Sequence, residues 1–86
     1  MGLFKIDPKG SLVHDLRKID KQYIPRILDA IESLAENPFP VQSRKMKGSG
    51  SSYRLRVGDY RVIYQVDTEN KVATIGRFYK LSYGNI

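Results

Sequence analysis

Four arginines carry the chemistry most readily read from this 86-residue chain. Two of them sit in Tyr53-Arg54-Leu55-Arg56-Val57 and a third in Tyr60-Arg61-Val62-Ile63-Tyr64-Gln65-Val66, two β-branched and aromatic runs separated by Gly58-Asp59. That dipeptide is a strong hairpin signal. A two-residue turn pairs Val57 with Tyr60, Arg56 with Arg61 and Leu55 with Val62, and the period of two then assigns both faces. Tyr53, Leu55, Val57, Tyr60, Val62, Tyr64 and Val66 take one side, while Arg54, Arg56, Arg61, Ile63 and Gln65 take the other. A loop over 68–70 places Arg77 opposite Arg61; a shorter loop would drive its guanidinium into the apolar side at a high desolvation cost. The expectation is one concave face bearing Arg54, Arg56, Arg61 and Arg77. Like charges set directly opposite each other destabilise a sheet, so anion binding is what such a face is suited to. The planar guanidinium fork grips phosphate oxygens in pairs, stacks on bases and keeps its charge at any ordinary pH. Arg44, Lys45 and Lys47, just upstream, extend the set of phosphate binders. Tyr79 and Tyr83 follow closely on Arg77, where a phenol can stack on a base or donate a proton.

These side chains need a frame. Leu3 to Asp7 reads as a short strand closed by the turn Pro8-Lys9-Gly10. Ser11 is placed to cap a helix whose apolar stripe is Leu12, Leu16 and Ile19, interrupted at Asp20. A longer helix follows, with Ile24, Ile27, Leu28, Ile31, Leu34 and Ala35 at spacings of three and four, Pro25 in its first turn, and an end at Asn37-Pro38. Residues 38–52, rich in proline, glycine and serine, read as a basic loop. The Gly58-Asp59 hairpin comes next, then a turn over 68–70 and a last strand over 71–78. The order implies an α+β fold: an N-terminal strand, a helical hairpin, and a three-stranded antiparallel meander against which the hairpin packs. At this length the whole chain, 1–86, is expected to form one domain.

Composition narrows the function classes further. The core of so short a chain is too thin to enclose a nicotinamide, flavin or haem group. Cysteine is absent and His14 is the sole histidine, so neither disulfides, a thiolate nucleophile nor a zinc or copper ligand set is expected, and no cofactor is assigned. His14 itself reads as a helix-surface residue. No apolar run approaches the roughly 20 residues that cross a bilayer, and the start lacks a signal peptide's pattern, so a cytoplasmic protein without membrane contact is expected. The formal net charge is +6, and its placement is one-sided. Residues 1–43 carry six basic and six acidic side chains, whereas residues 44–86 carry nine basic against Asp59, Asp67 and Glu69. A polyanion is the natural partner of such a half. Triads for hydrolysis and Gly-rich phosphate loops are missing.

Taken together, Lys45-Met46-Lys47-Gly48 and the run from Tyr53 to Tyr64, following a helical hairpin that ends in Asn37-Pro38, closely resemble the RelE/ParE superfamily of toxins from toxin–antitoxin modules. The resemblance covers nearly the whole chain. It implies a compact α+β toxin neutralised by a co-expressed antitoxin, reaching DNA only through that antitoxin. RelE-like members cleave mRNA on the ribosome without a metal, by attack of a ribose 2′-OH on the adjacent phosphate, which blocks translation and arrests growth. Carried over by position, the resemblance puts the basic pair of the first hairpin strand on Arg54 and Arg56, the phosphate-stabilising arginine on Arg61, the later arginine on Arg77 and the terminal tyrosine on Tyr83, with Tyr79 a rival for that part. Catalytic roles are thus expected of Arg56, Arg61, Arg77 and Tyr83, and phosphate or RNA binding of Arg54 and, from the basic loop, of Arg44, Lys45 and Lys47. This chain departs from the family where relatives often carry lysine, at Arg54 and Arg56, and where many carry a His-Arg pair, at Gly76-Arg77. Arginine, with a pKa above roughly 12, is a poor general base; Lys45 or Lys47 is the candidate substitute. Two other readings follow from the same superfamily: a ParE-like inhibitor of DNA gyrase, which needs no catalytic residue, and an inactive toxin that serves only in antitoxin-bound repression.

Overall fold

The computed structural model describes residues 3–10, 12–48 and 50–81. Its centre is a five-stranded mixed sheet in the order β1-β5-β4-β3-β2. The strands are β1 (Lys5–Pro8), β2 (Ser43–Lys45), β3 (Ser52–Val57), β4 (Tyr60–Asp67) and β5 (Val72–Lys80). β3, β4 and β5 form the expected antiparallel meander, and β1 joins it parallel to β5. Among the described residues there are also two α-helices, α1 (Leu12–Leu16) and α2 (Ile24–Ser33), with a 3-10 turn at Lys21–Tyr23 leading into α2.

The expected pair of helices reduces to one full helix and a five-residue one. After Leu16 the backbone tightens into i→i−3 bonds, Arg17 to His14, Lys18 to Asp15 and Ile19 to Leu16. A 3-10 winding needs fewer residues per turn, and it brings Ile19 into the core, 7% exposed, before Asp20 stops the run. Pro25 stands in the first turn of α2, where its missing N–H costs nothing. α2 is strongly amphipathic and buries Ile27 and Ile31. It ends at Ser33, earlier than Asn37-Pro38 suggests, and 3-10-type bonds from Leu34, Ala35 and Glu36 carry the chain to Asn37, whose Oδ1 accepts the Phe39 N–H at 3.0 Å. The helix-capping role expected of Ser11 lies outside the described residues.

The basic loop also contains more order than its composition suggests. Ser43, Arg44 and Lys45 pair with Leu55, Arg54 and Tyr53 as the edge strand β2. No hydrophobic alternation announces this strand, because its pairing is made by backbone groups.

One hydrophobic cluster joins the helices to the sheet. From the helical side come Leu12, Ile19, Ile27, Ile31 and Leu34; from the sheet come Leu55, Val57, Tyr60, Val62, Tyr64, Val66, Ile75 and Phe78. The inward tyrosines are packing residues, as their alternation predicts, and each polar tip is satisfied where it is buried. Tyr64 Oη donates to the Pro38 carbonyl at 2.7 Å, and Tyr60 Oη accepts the Asp20 N–H at 3.1 Å. Burial pushes the Tyr64 phenol above its ordinary pKa.

Candidate functional site: an arginine groove on the open sheet face

The hairpin register follows the sequence reading residue for residue: Val57 with Tyr60, Arg56 with Arg61, Leu55 with Val62. Gly58 takes φ +59 at the first turn position, the positive dihedral that a two-residue hairpin turn demands and glycine supplies without strain. The side chains of Arg54 and Arg56 are exposed and that of Arg61 half-buried, all on the face away from the helices.

β5 is where expectation and structure part. Its first half pairs Asp67 with Val72, Val66 with Ala73 and Tyr64 with Ile75, one residue off the register that a 68–70 loop would set. Continued, that register would turn Arg77 into the core. A β-bulge at Gly76 of β5, opposite the step from Ile63 to Tyr64 of β4, shifts the pairing by one residue, so that Ile63 faces Arg77, Val62 faces Phe78 and Arg61 faces Tyr79. Phe78 is thereby buried and Arg77 exposed. A Cβ on Gly76 would stand 3.2 Å from the Ile63 carbonyl oxygen, so the close strand approach here depends on glycine. Arg77 does share the open face with the other three arginines, but its strand partner is Ile63 and not Arg61. Tyr79, expected beyond the last strand, lies within β5 opposite Arg61.

Two cross-strand rows result. The first runs Arg44, Arg54, Ile63, Arg77 and the second Arg56, Arg61, Tyr79 across β2 to β5. The Gln42 carbonyl accepts the Arg56 N–H at 3.0 Å and extends the second row past the start of β2. A groove of about 560 Å³ lies over these rows, lined by Arg44, Arg54, Arg56 and Arg61 together with Val41, Gln42 and Leu81. No carboxylate is among its described lining residues, so the four guanidinium charges add. Arg61 is the most constrained of them: its Nη1 donates to the carbonyls of Gly58 at 3.0 Å and Tyr60 at 2.9 Å, which clamps the guanidinium to the hairpin turn. Arg54 Nη1 donates to Tyr79 Oη at 3.3 Å, so a phenol is held at the cationic cluster.

The other candidates are placed as follows. Arg44 joins the groove. Lys45 pairs with Tyr53 and therefore belongs to the opposite face of β2, away from the arginines. Lys47 lies in the turn that leads to β3. Arg77 lines a neighbouring hollow instead of the arginine groove. Tyr83 lies outside the described residues. His14 is an exposed residue of α1. Sequence reasoning missed the role of Tyr79 in the Arg61 row, the 95% exposure of Val41 at the groove and the strand β2. The first was open to detection, because an isolated glycine inside a strand pattern, as at Gly76, is a bulge signal.

In chemical terms the groove is suited to an anion such as a phosphodiester. Permanent cations stabilise the charge that develops on phosphoryl oxygens, and a positioned phenol is a proton donor for a leaving oxygen. Arginine does not serve as a proton acceptor near neutrality. Among the described residues no group of three metal-ligating side chains is gathered, and no helix is long and apolar enough to cross a membrane.

The family model of the ParE toxin of type II toxin–antitoxin systems matches residues 9–80. The toxin RelE1 of Methanocaldococcus jannaschii is 28% identical over 75 residues, which cover 84% of this chain and 83% of that protein. The archaeal RelE solved in complex with RelB from Pyrococcus horikoshii is 30% identical, with a TM-score of 0.80 over 91% of this chain and 94% of the other. The isolated RelE toxin of E. coli, 19% identical, superposes with a TM-score of 0.80 over 95% of this chain and 88% of its own, a likeness of fold.

Proposed function

Because the chain belongs to the RelE/ParE superfamily of toxins of type II toxin–antitoxin systems, and is RelE-like in fold, we propose that it is a ribosome-dependent, metal-independent mRNA endoribonuclease. The observation that carries this reading is the gathering of Arg44, Arg54, Arg56 and Arg61 in one groove, with Tyr79 hydrogen-bonded to Arg54. In the proposed reaction a ribose 2′-oxygen attacks the adjacent phosphorus, a cyclic phosphate forms and the P–O5′ bond breaks. Arg56 and Arg61 neutralise the non-bridging oxygens, most strongly in the transition state, where their charge is greatest. Tyr79, or Tyr83 by the family's spacing, gives its proton to the departing 5′-oxygen. Since the groove itself offers no proton acceptor, the 2′-OH proton passes to solvent or to a group of the ribosome. Positioning alone supplies part of the acceleration, because effective molarities of bound reactants are large.

The antitoxin on this reading is an acidic segment that folds on the sheet and covers the groove; the Pyrococcus horikoshii relative was solved with its RelB bound. Induction in growing cells, with separate pulse labelling of protein and DNA synthesis and primer extension on a translated message, is the test. Protein synthesis stopping first, with new cuts inside codons, is the expected result. The alternative with a specific observation in its favour is a ParE-like gyrase inhibitor, which the permanently cationic groove permits since docking needs no base. DNA synthesis then stops first and the message stays whole.

A further inference from the structure

Next to the arginine groove, on the same open face, lies a second hollow of about 250 Å³ whose chemistry is different. Ser52, Gln65 and Thr74 form a third cross-strand row there. On β3 and β4 it stands two residues beyond the Arg54–Ile63 pair, roughly 7 Å at the usual rise per residue. On β5 it stands three residues beyond Arg77, the extra one being the bulged Gly76. The row is neutral and rich in hydrogen-bonding groups. Ser52 is buried, and its Oγ accepts from Gln65 Nε2 at 3.4 Å. Gln65 itself is exposed, and among the described residues its Oε1 has no hydrogen-bond donor. Lys9 and Arg77 bring cations to the hollow, and Gly76 leaves its wall without a side chain.

A neutral donor–acceptor pair flanked by cations, about one nucleotide's reach from a phosphate groove, suits a group that is uncharged at one end and anionic at the other. We propose that this hollow is a nucleotide-recognition subsite, in which the Gln65 carboxamide, backed by Ser52 and Thr74, hydrogen-bonds the edge of the nucleobase adjoining the phosphate that the arginines hold. This rests on the RNA-cleaving reading of the groove. A carboxamide pairs in bidentate fashion with the N6 donor and N7 acceptor of adenine, a combination that no other base presents on that edge, so a base read on that edge is adenine. Arg77, separated from Arg54 by Ile63, then serves the phosphate on the far side of that base. The bulge has two consequences from one residue: it keeps Arg77 out of the core and it opens the floor on which the base sits.

The test is a titration of the isotope-labelled full chain, followed by NMR, with adenosine 3′-monophosphate, uridine 3′-monophosphate and ribose 5-phosphate. The Gln65 side-chain NH2 and the Thr74 and Gly76 amides are the reporters. Adenosine 3′-monophosphate is expected to move all three and uridine 3′-monophosphate to move them less, whereas ribose 5-phosphate moves the arginine signals alone. Gln65→Ala is expected to weaken adenosine 3′-monophosphate about tenfold, with ribose 5-phosphate affinity as the reference, and Thr74→Val provides a second, isosteric variant. An unmoved Gln65 NH2, an equal response to ribose 5-phosphate, or unchanged nucleotide affinity in both variants overturns the proposal. Primer extension with Gln65→Ala separates the two readings. Wild-type chain that cuts messages at the same positions as Gln65→Ala overturns the subsite and leaves the nuclease standing. Adenosine binding through Gln65 by a chain that leaves messages whole overturns the nuclease and leaves the subsite standing.

Discussion

The two faces of the β3–β4–β5 meander are made from alternate residues of the same strands, yet they obey opposite rules. On the helix side Leu55, Val57, Tyr60, Val62, Tyr64 and Val66 are all buried, and the polar tips of Tyr60 and Tyr64 have partners. On the other side Arg54, Arg56 and Arg61 stand together without a carboxylate among the described groove residues, an arrangement that costs stability through like-charge repulsion. The packed face would be right for any protein of this architecture. The open face is suited to an anion, and under the proposed function a phosphodiester offsets its repulsion. Stability and function are thus written on different residues of one set of strands, and substitutions on the two faces should separate them.

Arg61→Ala tests that separation most sharply. Loss of a preorganised cation that stabilises phosphoryl charge is expected to cost about 10²–10³-fold in message cleavage and so to abolish growth arrest, while thermal unfolding shifts by no more than about 1 kcal/mol. A soluble, fully toxic Arg61→Ala protein would dissolve the distinction between the faces. Ile27→Ala is the mirror experiment. Ile27 is completely buried, so its truncation should destabilise the fold by about 2–5 kcal/mol in denaturant titrations, with the affinity of the remaining folded protein for RNA unchanged.

Smaller effects refine the picture. Tyr64→Phe deletes the bond to the Pro38 carbonyl, an expected loss of about 1 kcal/mol, with more if the carbonyl is left unpaired. Because burial raises the Tyr64 pKa in the folded state, its contribution is present below the unfolded phenol's pKa and is lost as pH rises past it. Alkaline unfolding followed by circular dichroism should therefore become shallower in Tyr64→Phe. Arg56→Gln relieves its opposition to Arg61, an expected gain of about 0.2–1 kcal/mol in stability. The same change should lower the slope of log affinity against log salt for single-stranded RNA by about 0.7 for each phosphate that the side chain no longer neutralises. A variant that is no more stable and has the same salt dependence would mean Arg56 is not part of the anion surface.

How far each element was legible depended on whether its signal is local. The β3–β4 hairpin was readable to the residue, because Gly58-Asp59 and strict alternation specify turn, register and faces at once. α2 was readable in existence and in its start at Pro25, and less so in its end, where 3-10 turns prolong the apolar spacing past Ser33. β2 was invisible: three polar residues that pair through their backbone leave no periodic trace. The shared face of the four arginines was foreseen, but by a register that β5 does not adopt. The alternation of β5 is broken by one residue at Gly76, and its rule holds only between irregularities. Lys45 was misplaced for a related reason, since side-chain direction in an unrecognised strand cannot be counted.

What the chain alone determined was chemistry and local geometry: the charge asymmetry, the hairpin with its arginine face, the amphipathic helix and the resemblance to a toxin superfamily. These depend on residue type and on neighbours a few positions away, where turn sterics and the period of two leave one solution. What only the tertiary structure decided was which distant groups meet. The bulge at Gly76 sets Tyr79 beside Arg61 and Arg54 and moves Arg77 to the hollow of Gln65, and the edge pairing of β2 brings Arg44 into the groove and turns Lys45 away. Those outcomes rest on backbone hydrogen bonds between strands and on the burial of Phe78 in the common core, a balance struck among segments that no single stretch of the sequence contains.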